Sequence, residues 1–233
     1  MVREETALAY RQDGFAVVTG VLDGPAIAAS LEDLGYWRAR QGLGPDAAIV
    51  PVRLDDPDGR RIAGDPRIGA IASALLEVPA VAFGVTFLCK PAGHGPPALW
   101  HQDGEPWTAR LGGSQALTVW IALDDTDSAN GCLRVIPGSH SLHAQPLRVA
   151  DKEPSLFGVE MDPALVDETR AVDLPLRAGD ASVHHPSLVH GSGPNRSDRP
   201  RRALAVRYVG EGSRQPSGAA VGPALASSTR DTH

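Results

Sequence analysis

Two hydrophobic periods divide the chain. In the first third, apolar residues recur at helical spacing. From residue 81 they fall into short, β-rich runs. "EETALAYRQDG" reads as a short helix ending at Gly14, and "FAVV" as a strand. In "DGPAIAASLEDLGYWRARQG", Ile27, Leu31, Leu34 and Trp37 share one helical face, and Gly42 is a stop. "PDGRRIAGDP" reads as a polar, turn-rich loop. Asp65-Pro66 then supplies an N-cap and a first helical position for "RIGAIASALLEV". The runs "VAFGVTFLCK", "QALTVWIALDD", "GCLRVI", "AVDLPLRAGD", "ASVHH" and "RRALAVRYV" are punctuated by Gly, Pro, Asn and Asp. Helices followed by many short strands predict an α+β chain built around a β-sandwich or jelly roll. Residues 141–170 make a long, polar connection of the kind that forms lids or binding loops. The small, polar stretch 213–233 shows no period and reads as a flexible tail after a single domain over 1–212.

Composition narrows the partners. With 233 residues and 42% hydrophobic content, the chain can bury one sizeable core. No apolar run approaches the ~20 residues that span a bilayer. The N-terminus is charged and lacks an apolar signal core, so a cytoplasmic protein is expected. Cys89 and Cys132 lie in apolar, strand-like segments without a CxxC partner, which argues against a disulfide or zinc scaffold. The net charge is −6 and no basic run exists, so neither nucleic acid nor an anionic membrane is an expected partner. Nothing in the pattern specifies an oligomeric state.

Chemistry concentrates in two stretches. "ALWHQDGEPW" places His101 and Asp103 two apart, on the same side of an extended chain. "HHPSLVHGSGPNRSDRPRRALAVRYV" adds His184, His185 and His190, then an arginine-bearing strand. Two imidazoles and one carboxylate on one face of a metal leave other positions open, as in non-haem Fe(II) oxygenases. The same donors also suit catalytic zinc, which leaves a hydrolase as an alternative. His94 and His143 read as solvated loop residues, and His140 as a hydrogen-bonding turn residue. The run Asp124-Asp125-Thr126-Asp127 lacks the glycine and terminal glutamate of a calcium-binding hand and reads as a solvated turn.

"WHQDGEPW", "NGCLRVIPGSH" and "VHGSGPNRSDRPRRALAVRYV", in this order, resemble the phytanoyl-CoA dioxygenase family of Fe(II)/2-oxoglutarate oxygenases over residues 5–210. The resemblance implies a double-stranded β-helix (jelly-roll) core with flanking helices. It implies His101, Asp103 and His190 as iron ligands, with His190 preferred over His184 and His185. It implies Fe(II) as cofactor and 2-oxoglutarate and O2 as cosubstrates. Arg201, eleven positions after His190, matches the arginine that holds the distal carboxylate of 2-oxoglutarate. Arg202 is its rival. Strand alternation puts Arg201, Ala203, Ala205 and Arg207 on one face, and the two alanines leave room there for a ligand. Ser192, Trp120 and Lys90 match further cosubstrate-pocket positions.

The resemblance implies hydroxylation of an unactivated C–H bond, with desaturation, cyclisation or epoxidation as variants. Asp103 argues against halogenation, which relatives achieve by replacing this carboxylate with a small residue. A short, arginine-rich chain fits bacterial secondary metabolism and a small-molecule substrate. Substrate contacts are expected from Glu105, Trp107, Arg110 and Arg207, and from the loops 52–66, 94–114 and 141–170. A non-catalytic 2-oxoglutarate-binding jelly roll is the remaining alternative.

Overall fold

The computed structural model describes residues 2–104, 115–142, 145–151 and 154–213. The tail beyond Ser213, the expected contacts Glu105, Trp107 and Arg110, and His143 lie outside the described residues.

Four helices open the chain: α1 (Glu4–Asp13), α2 (Gly24–Arg40), α3 (Pro57–Ala63) and α4 (Pro66–Leu76). Three of them start on an aspartate cap. The Asp23 carboxylate accepts from the Ala26 N–H at 3.0 Å, Asp56 from Asp58 at 2.9 Å, and Asp65 from Arg67 at 2.9 Å. A proline follows within the first turn each time. α1 ends where Gly14 turns left-handed, at φ 80°. The loop expected over "PDGRRIAGDP" is corrected by this geometry, because Pro57–Ala63 is helical. Its polar residues form the solvent face, while Ile62 enters the core.

Twelve strands follow or intervene among the described residues. They are β1 (Phe15–Val18), β2 (Ile49–Val52), β3 (Ala80–Lys90), β4 (Ala98–His101), β5 (Ala116–Ala122), β6 (Leu133–Val135), β7 (Leu147–Val149), β8 (Val159–Met161), β9 (Val172–Leu174), β10 (Ala181–His184), β11 (His190–Ser192) and β12 (Arg201–Gly210). A six-stranded antiparallel sheet runs β1-β10-β5-β12-β3-β2. A four-stranded sheet runs β4-β11-β6-β9. The region 141–170 carries more order than its polarity implied, since β7 and β8 pair as a hairpin.

The six-stranded sheet is buried on both faces, and the two faces do different work. Its outer face (Val85, Phe87, Val119, Ile121, Val183, Leu204, Val206, Tyr208) joins Leu34 and Trp37 of α2 and Ile68, Ile71 and Leu76 of α4 in one apolar cluster. Its inner face (Leu88, Trp120, Ala203, Ala205) meets Leu133, Val135, Leu174 and Leu188 in a second cluster. These two layers make a jelly-roll core with helices on one side. Period-two alternation therefore sends every inner-face polar residue of the large sheet between the sheets. Lys90, Thr118, Ser182, His184 and Arg201 are all buried there.

Candidate metal centre

Two short strands and their loops assemble the site. β4 and β11 run antiparallel with His101 opposite His190. Their imidazole centroids are 4.2 Å apart. Asp103 sits in the turn after β4, and that turn is stapled to the loop between β10 and β11. The Gly104 N–H donates to the Pro186 carbonyl at 2.7 Å, and the Gln102 amide donates to the Ser187 carbonyl at 2.7 Å. Gly191 lets β11 approach β4, because a Cβ there would lie 2.8 Å from the Ala98 carbonyl oxygen. The pairing of the two sequence motifs is thus held by backbone bonds and the Gln102 side chain.

One donor atom from each of His101, Asp103 and His190 lies within 4.8 Å of the others. This is the one group of three or more metal-competent residues among the described residues. His101 is oriented by its own strand and His190 by the residues just before β11. His101 Nδ1 contacts the Leu99 carbonyl at 2.7 Å, and His190 Nδ1 contacts the Leu188 carbonyl at 3.0 Å. A carbonyl only accepts, so both Nδ1 atoms carry the proton and both Nε2 lone pairs are available. Burial foremost, then the neighbouring imidazole, pushes each ring down to about 4, so both are neutral near pH 7. Burial acts to raise the Asp103 carboxyl. That effect is outweighed by His184, His190 and Arg207, which hold it well below the usual carboxylate range. Two neutral imidazoles and an ionised carboxylate are the charge state a divalent metal requires.

These residues line a cavity of about 420 Å³, part of it open to solvent, together with Thr118, Trp120, His184, Ser192, Arg201 and Arg207. Leu88, Leu133, Leu156 and Phe157 complete the apolar part of its wall. Phe157, from the segment joining β7 and β8, sets its ring edge against His101 at 5.1 Å. Arg201 is buried at the inner end. One of its terminal nitrogens donates to the Leu88 carbonyl at 3.2 Å, and its guanidinium lies 5.5 Å from the Trp120 ring centroid. Its Nε finds no partner among the described residues. Burial pushes this guanidinium down to about 10, still charged at neutral pH. A buried, incompletely paired cation is a ready donor to an anionic ligand. Arg202 faces away and makes a two-pronged pair with Asp124. Arg207 reaches back over Gly84 to donate to Thr86 at 3.0 Å.

Lys90 stands apart from the cavity wall. Its ammonium nitrogen donates to the Gly193 carbonyl and, at 3.4 Å, to that of Ser192. Burial first, then the charge of Arg201, pushes this amine down to about 6. Above that pH the folded chain leaves the amine neutral, while the unfolded chain keeps it charged up to about pH 10.4. The unfolded state then binds more protons, so stability rises with pH across this window by up to about 1.4 kcal/mol per unit. Urea midpoints of the metal-free protein at about pH 7 and about pH 9 are expected to increase, and Lys90→Met is expected to remove most of the difference.

Thr118, His184, Leu156 and Phe157 were not foreseen in their present places. Thr118 carried a usable signal, because it lies two residues before Trp120 on the same strand face. The acidic run is a set of structural contacts. Asp124 pairs with Arg202, Asp125 accepts from the Ala178 N–H at 2.8 Å, and Asp127 accepts from the Asn130 N–H at 3.0 Å. Cys89 and Cys132 are free and buried. His140 contacts the Arg11 carbonyl at 3.2 Å. No helix among the described residues is long and apolar enough to cross a membrane.

The model of the phytanoyl-CoA dioxygenase (PhyH) family matches residues 10–203. A mouse protein, phytanoyl-CoA dioxygenase domain-containing protein 1, is 34% identical over 163 residues, which are 68% of this chain and 55% of that protein. The chain thus spans about half the length of the curated relatives it matches most significantly. Among solved structures, EvdO2 from Micromonospora carbonacea var. aurantiaca, complexed with 2-oxoglutarate, superposes with a TM-score of 0.74 at 24% identity, covering 93% of this chain and 96% of that one. It shares the fold. The epimerase SnoN, in complex with Fe3+, alpha-ketoglutarate and nogalamycin RO, superposes with a TM-score of 0.73 at 29% identity, covering 98% and 91%. With the family model spanning α2 to α4, both ligand motifs and Arg201 at the start of β12, the chain belongs to the phytanoyl-CoA dioxygenase family.

Proposed function

We propose that this protein is an Fe(II)- and 2-oxoglutarate-dependent oxygenase that hydroxylates an unactivated C–H bond of a small molecule in bacterial secondary metabolism. The observation that carries this reading is the placement of the His101, Asp103 and His190 donor atoms within 4.8 Å of one another in the cavity that also holds buried Arg201. The donor set fits the metal, since it offers two free Nε2 lone pairs and one ionised carboxylate. The unpartnered Arg201 Nε fits a dicarboxylate cosubstrate.

His101, Asp103 and His190 would hold iron. Arg201 would pair with the distal carboxylate of 2-oxoglutarate, supported in the cavity by Ser192 and Trp120, with Lys90 acting from behind the wall through the Ser192 and Gly193 carbonyls. Iron with 2-oxoglutarate and O2 supplies the oxidant for C–H hydroxylation. The chain's own part is positioning and exclusion. The apolar wall of Leu88, Leu133, Leu156 and Phe157 keeps bulk water from the reacting centre. Trp120 and Ala205 leave a slot beside Arg201, and Arg207 on the same strand face adds a cation to the substrate side. Glu105, Trp107 and Arg110, close in sequence to Asp103, are the remaining proposed substrate contacts.

A second outcome of the same C–H abstraction is favoured by the 29% identity to a protein described as an epimerase. Product mass separates the outcomes. Hydroxylation or epoxidation adds one oxygen, desaturation or cyclisation removes two hydrogens, and epimerisation leaves the mass unchanged. Purified protein with Fe(II), ascorbate, labelled 2-oxoglutarate and a panel of biosynthetic intermediates is expected to give succinate that rises with one substrate and requires O2. O2-independent hydrolysis with zinc would replace this reading by a hydrolase. Tight 2-oxoglutarate binding without turnover on any panel member would replace it by a binding protein.

A further inference from the structure

His184 is the third buried imidazole at the centre, and nothing in the metal triad accounts for it. It is fully buried on the inner face of β10, and in the sheet ladder it stands opposite Thr118 of β5. Its Nε2 lies 3.6 Å from Asp103 Oδ2, an ion-pair distance that is long for a hydrogen bond. The Thr118 hydroxyl donates to the same Oδ2 at 3.0 Å. The His184 ring also packs against the His190 ring, with centroids 4.7 Å apart.

The ring's other nitrogen fixes its tautomer. His184 Nδ1 is buried without a hydrogen-bond partner among the described residues. A proton there would be a buried donor with no acceptor, and a bare Nε2 would then face a carboxylate. Placing the proton on Nε2 removes both penalties. His184 thus has the opposite tautomer to His101 and His190, whose Nδ1 protons face backbone carbonyls. It presents a donor to the centre, where the two ligands present lone pairs.

We propose that His184 is a positioning residue that, with Thr118, holds Asp103 Oδ2 and leaves Oδ1 as the atom offered to the metal. The inference rests on the reading of His101, Asp103 and His190 as a metal site. The Thr118 hydrogen bond and the His184 N–H facing the same oxygen at ion-pair distance bias the carboxylate to a one-oxygen ligand and its rotamer before the ion arrives. A partner of this kind typically sets 10–100-fold in metal affinity.

Co(II) titration of the metal-free protein tests this without any substrate. His184→Phe keeps a ring of similar size and removes the donor. His184→Gln keeps an N–H near the position of Nε2. Thr118→Val removes the second donor. The wild type is expected to bind one Co(II) per chain with a defined visible absorption band. His184→Phe is expected to bind about 10–100-fold more weakly with a shifted band. His184→Gln is expected to recover most of the affinity, and the double variant with Thr118→Val to bind more weakly than either single change. Circular dichroism melts of the metal-free variants report folding. A folded His184→Phe protein with wild-type Co(II) affinity and spectrum overturns the proposal. Equal losses in His184→Phe and His184→Gln also overturn it, because packing alone would then explain the effect. A wild-type protein that binds no Co(II), or a His101→Ala protein that binds it normally, overturns the metal site itself.

Discussion

Asp103→Ala is expected to lose the metal and the activity while keeping the fold. The side chain supplies the one anionic donor of the cluster. Loss of an outer partner already costs 10–100-fold in affinity, so loss of the ligand is expected to exceed about 100-fold. Succinate formation is expected to fall below about a thousandth of wild type, since no other described carboxylate joins the cluster. Stability follows a different account. In the metal-free protein, burial of Asp103 is costly, and His184, His190 and Arg207 offset that cost. The substitution removes the desolvation penalty together with the contacts that compensate it, so the metal-free melting temperature is expected to change little. Thr118 and His184 lose an acceptor, which opposes any gain. Metal content by elemental analysis, paired with a thermal melt, checks both halves. Full iron occupancy in a folded Asp103→Ala protein would remove this residue from the proposed triad.

The contrast between Asp56-Pro57 and Asp65-Pro66 explains what could be read from sequence. Both are an aspartate cap followed by proline, and both open helices. The second was legible because eleven helical residues display Ile68, Ile71, Ala72 and Leu76 on one buried face. The first opens a seven-residue helix with Ile62 as its one large buried side chain, too short to show a period. β4 and β11 are also short, yet their place could be inferred, because the chemistry of His101, Asp103 and His190 demanded that they meet. Alternation along β12 separated inward Arg201 from outward Arg202, which pairs with Asp124. Period two holds across a buried sheet whichever layer covers it. His184 was harder to place. Sequence offers three histidines within seven residues, and only the fold tells a donor from a ligand, through what lies opposite each ring nitrogen. The hairpin that brings Phe157 to His101 was hidden for a related reason. β7 and β8 are three residues each, their Leu147 and Met161 serve a small satellite cluster, and the cavity-wall residues Leu156 and Phe157 lie in the segment between them.

Arg201→Met is expected to separate cosubstrate binding from folding by moving them in opposite directions. The guanidinium is buried, its Nε has no partner among the described residues, and its one described side-chain hydrogen bond goes to the Leu88 carbonyl at 3.2 Å. Burial pulls its proton affinity down to about 10, so the surrounding residues compensate the charge only in part. Methionine fills much of the volume without the charge. The ligand-free variant is therefore expected to melt at the same temperature as wild type or higher. Binding should respond strongly the other way. Removing one partner of a desolvated charge pair costs about 2–5 kcal/mol, so 2-oxoglutarate affinity is expected to fall by roughly 30- to 5,000-fold. Arg201→Lys keeps the charge but not the planar fork and should fall between the two. Co(II) affinity should be unchanged in both, because Arg201 is not in the triad. Calorimetric titration with 2-oxoglutarate gives the affinity, and melting with and without saturating 2-oxoglutarate gives the stability split. Wild-type 2-oxoglutarate affinity in a folded Arg201→Met protein would mean that the distal carboxylate is held elsewhere. Lys90, across the ladder on β3 and donating to the Ser192 and Gly193 carbonyls, would be the next nitrogen donor to test.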